Sequence, residues 1–195
     1  MEKSPVYKTI KNRRTIRKFL QKPVPKTVLL KCADAARLSP CGCNLQPLRY
    51  ILVDDPKVLP KVFETLSWAV YLPEYFPTKD EMPQAYLVIL LDKNARTPIH
   101  DAAIASMSIS LVASEEGLGS CILATVDRQK LAPVLSVPED LKIELIVALG
   151  YAAEAPVTEP LADGEIKYWL APDGVLHVPK RDLTCIVSWN RYQNQ

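Results

Sequence analysis

Four potential donors to an anion crowd into five residues, Arg13, Arg14, Thr15 and Arg17. Guanidinium groups bind phosphate or carboxylate oxygens bidentately, and a hydroxyl adds a short donor, so the cluster has the chemistry of an anion pocket built without glycine. A solvated basic face has the same composition. The neighbouring Ile16 and Phe19, however, are suited to packing, which speaks against an arm laid along nucleic acid. A second cluster is Pro40-Cys41-Gly42-Cys43-Asn44-Leu45-Gln46-Pro47. The amides of Asn44 and Gln46 each offer a donor and an acceptor to the edge of a heterocycle, or else they satisfy loop backbone. The third stretch, Gly117 to Asp127, contains a strand whose end, Leu123, Ala124 and Thr125, can present backbone N–H groups to a ligand. A helix cap followed by a strand explains its two glycines equally well. Trp68, Tyr71, Tyr75 and Phe76 form either a lid that stacks on an electron-poor aromatic or a core or interface cluster.

Other chemistries find little to build on. The 195 residues include only six glycines, and none of their spacings gives G-x-G-x-x-G or a P-loop. Two histidines, His100 and His177, no C-x-x-C pair and no H-E-x-x-H leave no metal site to expect. The net charge of +2 is unevenly placed: residues 1–26 carry nine cations and one acid, which leaves the remaining 169 at −6. The N-terminal stretch lacks the apolar core of a secretory signal, and the longest apolar run, Ala85 to Leu91, is too short to span a bilayer. An odd number of cysteines, five, without small-scaffold spacing fits reduced thiols. The expectation is a cytoplasmic protein bound to neither membrane nor nucleic acid.

The elements that must position these residues follow from periodicity. Ser4-Pro5 reads as an N-cap and first helical residue of a short helix that ends at Asn12. Lys26 to Leu38 has a buried helical face in Val28, Leu29, Cys32, Ala33 and Ala36. Ser39 to Pro47 is a loop and Arg49 to Val53 a strand. Asp55-Pro56 opens a helix expected to run to about Leu66, and Trp68 to Pro83 is irregular. Tyr86 to Leu91 is a strand buried on both faces. The longest helix runs from about Ile99 to Glu116 and stops at Gly117, with small and apolar residues on more than one stripe, so it is expected to be central. Ser120 to Thr125 and Lys142 to Leu149 are strands, separated by a short helix opened by Asp127. The tail from Asp182 to about Tyr192 reads as a helix whose stripe, Leu183, Ile186 and Val187, has little of its own core to cover and suits a second subunit. Together these predict one domain over residues 1–195, of α+β class, with a mixed central sheet flanked by helices on both faces.

In order and separation, the motifs resemble the FMN-dependent nitroreductase family. The carriers are Arg13-Arg14-Thr15-Ile16-Arg17 after a first helix, the Pro40 to Pro47 loop, a central helix opened by Asp101 and running into Gly117-Leu118-Gly119-Ser120, and Leu149-Gly150-Tyr151 after the last core strand. Only residues 66–83 and 155–178 find no match. The resemblance implies an intertwined homodimer with two FMN sites, each lined by both chains. Arg13, Arg14 and Thr15 would grip the phosphate and ribityl end, and Arg17 would lie near the pyrimidine edge, where a cation stabilises reduced flavin. Pro40, Cys41, Gly42 and Asn44 would come from the partner, Leu123 to Thr125 would pass beside the ring, and Lys180-Arg181 would close on the phosphate. The implied activity is electron transfer from NAD(P)H through FMN to nitroaromatic, quinone or similar acceptors in two half-reactions, with no catalytic side chain. The alternative is an FMN-binding protein with a storage or regulatory role. The sequence departs from the pattern at Cys41 and Gly42, where serine is usual, and at Ala124-Thr125, where glycine is common. Cys41 and Cys43 are either a thiol pair near the ring or small packing residues.

Overall fold

The structure, a computed structural model, describes residues 4–95, 98–162 and 164–192. Its first helix, α1 (Pro5–Asn12), is capped by the Ser4 hydroxyl, which accepts from the Tyr7 N–H, and Pro5 occupies the first turn where its missing N–H costs nothing. Then follow α2 (Lys26–Arg37), β1 (Leu48–Val53), α3 (Leu59–Phe63), β2 (Ala85–Asp92), α4 (Pro98–Glu115), β3 (Gly119–Leu123), α5 (Arg128–Val134) and β4 (Leu141–Gly150). Asp127 caps α5 by accepting from the Lys130 N–H at 3.1 Å.

The four long strands form a sheet ordered β1-β2-β4-β3, every neighbouring pair antiparallel. A parallel bridge from Thr15 to Ser120 adds the N-terminal segment to the β3 edge. The continuous apolar run of β2 is explained by its two covered faces. Tyr86, Val88 and Leu90 join a core with α3 and α5, while Ala85, Leu87 and Ile89 join a second core under α2 and α4. In that second core Ala102, Ala105, Ile109 and Ala113 of α4 meet Leu29, Cys32 and Ala36 of α2. The central helix is buried on that side only: Ile99 and Ile104 are exposed and Met107 and Leu111 half-buried, an apolar stripe facing outward.

Three expectations change. The helix opened near Asp55 is only α3, because after Phe63 the chain turns to pair with the end of β3: Leu66 bridges Val126, and Asp127 donates to the Thr65 carbonyl at 2.8 Å. The strand from Ser120 ends at Leu123 rather than Thr125 for the same reason. The tail is not a helix through Tyr192. It makes one 3₁₀ turn, Leu183–Cys185, opened by Asp182, and Leu183, Ile186, Trp189 and Tyr192 stay exposed. A short helix that buries little of its apolar face is marginal in water, and Leu183 and Ile186 remain exposed among the described residues. The stretch read as unmatched contains a second sheet, ordered β5-β7-β6, of β5 (Val157–Pro160), β6 (Trp169–Leu170) and β7 (Leu176–Lys180), with β5 and β7 parallel. β6 is only two residues long, and β5 and β7 are short and contain proline, so period-two patterning does not reveal them. Among the described residues no helix is long and apolar enough to cross a membrane, and all five cysteines are free.

Candidate functional site

The Arg13–Arg17 segment is held against β3 by backbone and by packing. Ile16 donates its N–H to the Ser120 carbonyl at 2.9 Å, and Leu20 donates to Tyr151 at 2.8 Å. Ile16 and Phe19 are buried in the core. Their close approach requires glycine on the other side: a Cβ on Gly119 would lie 2.7 Å from Ile16, and one on Gly150 would lie 2.9 Å from Phe19. Just before the buried Ile16, Arg13 and Arg14 face a cavity of about 330 Å³, lined also by Gly117, Gly119, Glu154 and Pro156 among others; Arg17, beyond Ile16, does not line it. The Nε groups of Arg13 and Arg14 are buried without a hydrogen-bond partner. Burial, and then the neighbouring Arg14 charge, hold the Arg13 guanidinium below its ordinary pKa.

Glu154 is the acid in the cavity wall among the described residues, and its carboxylate is already engaged. Oε1 accepts from the backbone N–H of Arg17 and from that of Lys18 at 3.1 Å, and Oε2 accepts from the Tyr75 hydroxyl. Burial, then Glu154, raise the pKa of that hydroxyl. Glu154 therefore shapes the segment rather than neutralising the guanidinium groups. Sequence reasoning missed it because its partners lie 136 and 137 residues away, with no local pattern. The two arginines also divide their work: the Arg14 side chain donates from Nη2 to the Lys11 carbonyl at 2.8 Å, whereas Arg13 caps α1 through its backbone N–H and its guanidinium makes no hydrogen bond among the described residues.

Leu123 is buried and Ala124 and Thr125 are exposed where β3 ends. The Thr125 hydroxyl donates to the Ser67 carbonyl at 2.7 Å, leaving backbone as the means by which this segment could donate to a ligand. Behind it, the Arg128 guanidinium donates to the carbonyls of Ala124 at 3.3 Å, Ile143 at 2.7 Å and Glu144 at 3.0 Å. This second missed residue locks the strand end, and only its place in the first turn of α5 was visible beforehand.

The 40–47 loop lies elsewhere, on a cavity of about 780 Å³ whose lining includes Pro40, Cys41, Asn44, Gln46, Tyr50 and Asp101. Cys43, Asn44 and Gln46 have φ of 50°, 54° and 50°, the left-handed region that non-glycine residues enter at a cost. Gly42 donates its N–H to Asp101 Oδ1 at 3.1 Å, and Gln46 donates to Cys41 Sγ at 3.3 Å. The other Asp101 oxygen is buried without a partner. The two cavities share none of their lining residues, so the chain does not itself unite the loop with the arginines.

Of the four aromatics, Trp68 and Tyr75 are core residues, while Tyr71 and Phe76 are exposed. Tyr71 meets Tyr168 with ring centroids 5.1 Å apart, and Arg17 sits over the Tyr168 ring at 5.1 Å. Lys180 and Arg181 are exposed, and neither is hydrogen-bonded or ion-paired to the arginine segment. Lys180 pairs with Pro160, three residues and about 10 Å along the strand beyond the Val157–His177 pair. In the same sheet His177 Nδ1 lies 2.9 Å from Glu159 Oε2.

The model of the nitroreductase family matches residues 10–151. A protein of Methanothermobacter thermautotrophicus, provisionally named NADH dehydrogenase/NAD(P)H nitroreductase, is 29% identical over 170 residues, 84% of this chain and 85% of that protein. An iodotyrosine deiodinase of Thermotoga neapolitana is 25% identical over 181 residues, 84% of this chain and 97% of that one. Among solved structures, an FMN-dependent nitroreductase of Clostridium difficile R20291 superposes with a TM-score of 0.68 at 26% identity, covering 94% of this chain and 98% of the other.

Proposed function

Because the chain belongs to the nitroreductase family, we propose that it is an NAD(P)H-dependent flavin oxidoreductase that holds FMN and reduces nitroaromatic, quinone or similar acceptors. The observation that carries this reading is the pair of buried, unpartnered guanidinium N–H groups of Arg13 and Arg14 beside the smaller cavity. Two neighbouring cations, one depressed in pKa by burial and by the other, are an unfavourable arrangement unless an anion joins them. A phosphate monoester, about −1.5 to −2 at neutral pH with three acceptor oxygens, supplies both the charge and the acceptors. The donor set therefore fits the FMN phosphate.

When bound, FMN supplies the redox chemistry, taking electrons from the reduced nicotinamide and giving them to the acceptor, each substrate using the same face in turn. The protein's part is to bind and orient. Arg13 grips the phosphate with help from Thr15, Arg14 adds charge while its side chain bonds the Lys11 carbonyl, and Arg17 stands toward the ring's pyrimidine edge. Ala124 and Thr125 offer backbone N–H groups beside the ring, fixed from behind by Arg128 and Ser67. Lys180 and Arg181 require a bound phosphate or a second subunit to bring them in.

The 40–47 loop reaches a flavin only across a dimer, and the outward stripe of α4 together with the exposed Leu183, Ile186 and Trp189 of the tail supports one. The test is direct. Purified protein should show flavin absorbance, bleach with NADH or NADPH under anaerobic conditions, and recover its colour on adding a nitroaromatic or quinone. Colour without bleaching would make it a storage or regulatory flavoprotein, and no flavin uptake at all would end the reading.

A further inference from the structure

Arg17 is tied into the segment through its backbone. Its N–H is fixed by Glu154, but its guanidinium pairs with no carboxylate among the described residues. What the guanidinium meets is the face of Tyr168, with its central carbon 5.1 Å from the ring centroid. Tyr168 is a firm platform, because its ring packs against the core beneath the main sheet. Its hydroxyl accepts the Tyr71 N–H at 3.2 Å, and the two rings lie 5.1 Å apart at 52°. Thus the two stretches in which the sequence motifs found no counterpart, 66–83 and 155–178, meet over one arginine.

We propose that Tyr168 is a positioning residue that holds the Arg17 guanidinium at the flavin, with Tyr71 bracing it, so that these two segments set the cofactor's reduction potential. The inference rests on the FMN reading above. A long side chain without an ion-pair partner samples many rotamers, and an aromatic face selects one through cation–π attraction without neutralising the charge. A carboxylate in its place would cancel the field that stabilises reduced flavin. An aromatic platform orients the cation and leaves that field intact.

The experiment measures the midpoint potential of the bound flavin by dye equilibration in the parent, Arg17→Gln, Tyr168→Leu, Tyr168→Phe and the Arg17→Gln/Tyr168→Leu double variant. FMN affinity and thermal midpoint are recorded beside each. Arg17→Gln should lower the potential, and Tyr168→Leu should lower it by a large share of that shift. Tyr168→Phe, which keeps the ring and loses only the hydroxyl bonded to Tyr71, should retain most of the parent value. The double variant should fall no lower than Arg17→Gln alone, since both act through one group. The inference is overturned if Tyr168→Leu retains the parent potential while Arg17→Gln shifts it, or if the two shifts add. FMN bound with an unchanged potential in Arg17→Gln overturns the inference and leaves the FMN reading standing. A parent that takes up no FMN overturns both.

Discussion

The Arg13–Arg17 segment and the 40–47 loop hold their shapes by opposite means. The segment is supported from outside: Ser120 and Tyr151 carbonyls accept its N–H groups, Glu154 accepts two more, and Ile16 and Phe19 sink into the core against Gly119 and Gly150. The loop is mostly supported from within, with Asn44 donating to Cys41 and Leu45 to Gly42, three residues in the left-handed region, and the side chain of Asp101 as its tether. A site built on rigid elements is preorganised in the single chain, whereas a strained loop keeps its shape only where its surroundings over-determine it. Under the proposed function, the segment would anchor the flavin and the loop would contribute only across a subunit interface.

The sharpest way to break this division is to remove Arg13. Charge-assisted hydrogen bonds are worth about 1.5–3 kcal/mol each, so Arg13→Ala should weaken FMN binding by roughly 10- to 150-fold, read by quenching of flavin fluorescence in a titration. Arg14→Ala should weaken it less and cost more in stability, because its guanidinium also satisfies the carbonyl end of α1. If Arg13→Ala kept the parent affinity, anchoring would have to be sought at the loop instead.

The loop's tether comes next. Asp101→Ala removes the acceptor of the Gly42 N–H and should lower the free energy of unfolding by about 1–3 kcal/mol in a urea melt at fixed protein concentration. Asp101→Asn, which keeps an oxygen acceptor and gives the unpartnered position an N–H₂, should lose less. A comparable loss is expected for Gly119→Ala, about 1–3 kcal/mol from overpacking, since the new methyl meets three atoms of Ile16 within 3 Å. The two differ in what else they change. Gly119→Ala pushes the arginine segment off β3 and should weaken FMN with it, while Asp101→Ala should act on FMN only through the dimer.

The segment was far more legible in the sequence than the support around it. Ser4-Pro5, Asp127 and Gly117 are local capping signals, and the unbroken run of β2 follows from burial on both faces, so most of the main sheet and its helices could be placed from short-range pattern. Arg13, Arg14, Thr15 and Arg17 stand out in the sequence because their types and spacing carry the chemistry of an anion pocket themselves. Glu154 and Arg128 were not found, because each acts through backbone groups distant in sequence, and nothing in the neighbouring residues announces that. The division of labour between Arg13 and Arg14 was hidden for a related reason: two adjacent identical residues differ only in which carbonyls they can reach. The tail misled in the other direction. Leu183, Ile186 and Val187 have helical spacing, but an apolar stripe specifies a helix only where a surface buries it, and Leu183 and Ile186 stay exposed among the described residues.

The smallest expected effect serves as the control on the comparison, because it lies in neither region. In the second sheet Glu159 accepts from Trp169 Nε1 at 2.7 Å, its other oxygen lies 2.9 Å from His177 Nδ1, and the Trp169 and His177 rings stack 4.2 Å apart. His177 first, then Trp169, hold the Glu159 carboxyl below its ordinary pKa. A carboxyl depressed in the folded state contributes stability that is complete above its unfolded pKa, about 4.3, and is lost as pH falls through the lower folded value. The thermal midpoint of Glu159→Gln should therefore lie slightly below the parent's at pH 6–7, and the gap should close as the pH drops below about 4.3. It should be small throughout, because the pair is solvent-screened. FMN affinity should not move. If it fell with Glu159→Gln, the second sheet would be mechanically tied to the arginine segment, and β7 would then be the route by which Lys180 and Arg181 come to the phosphate.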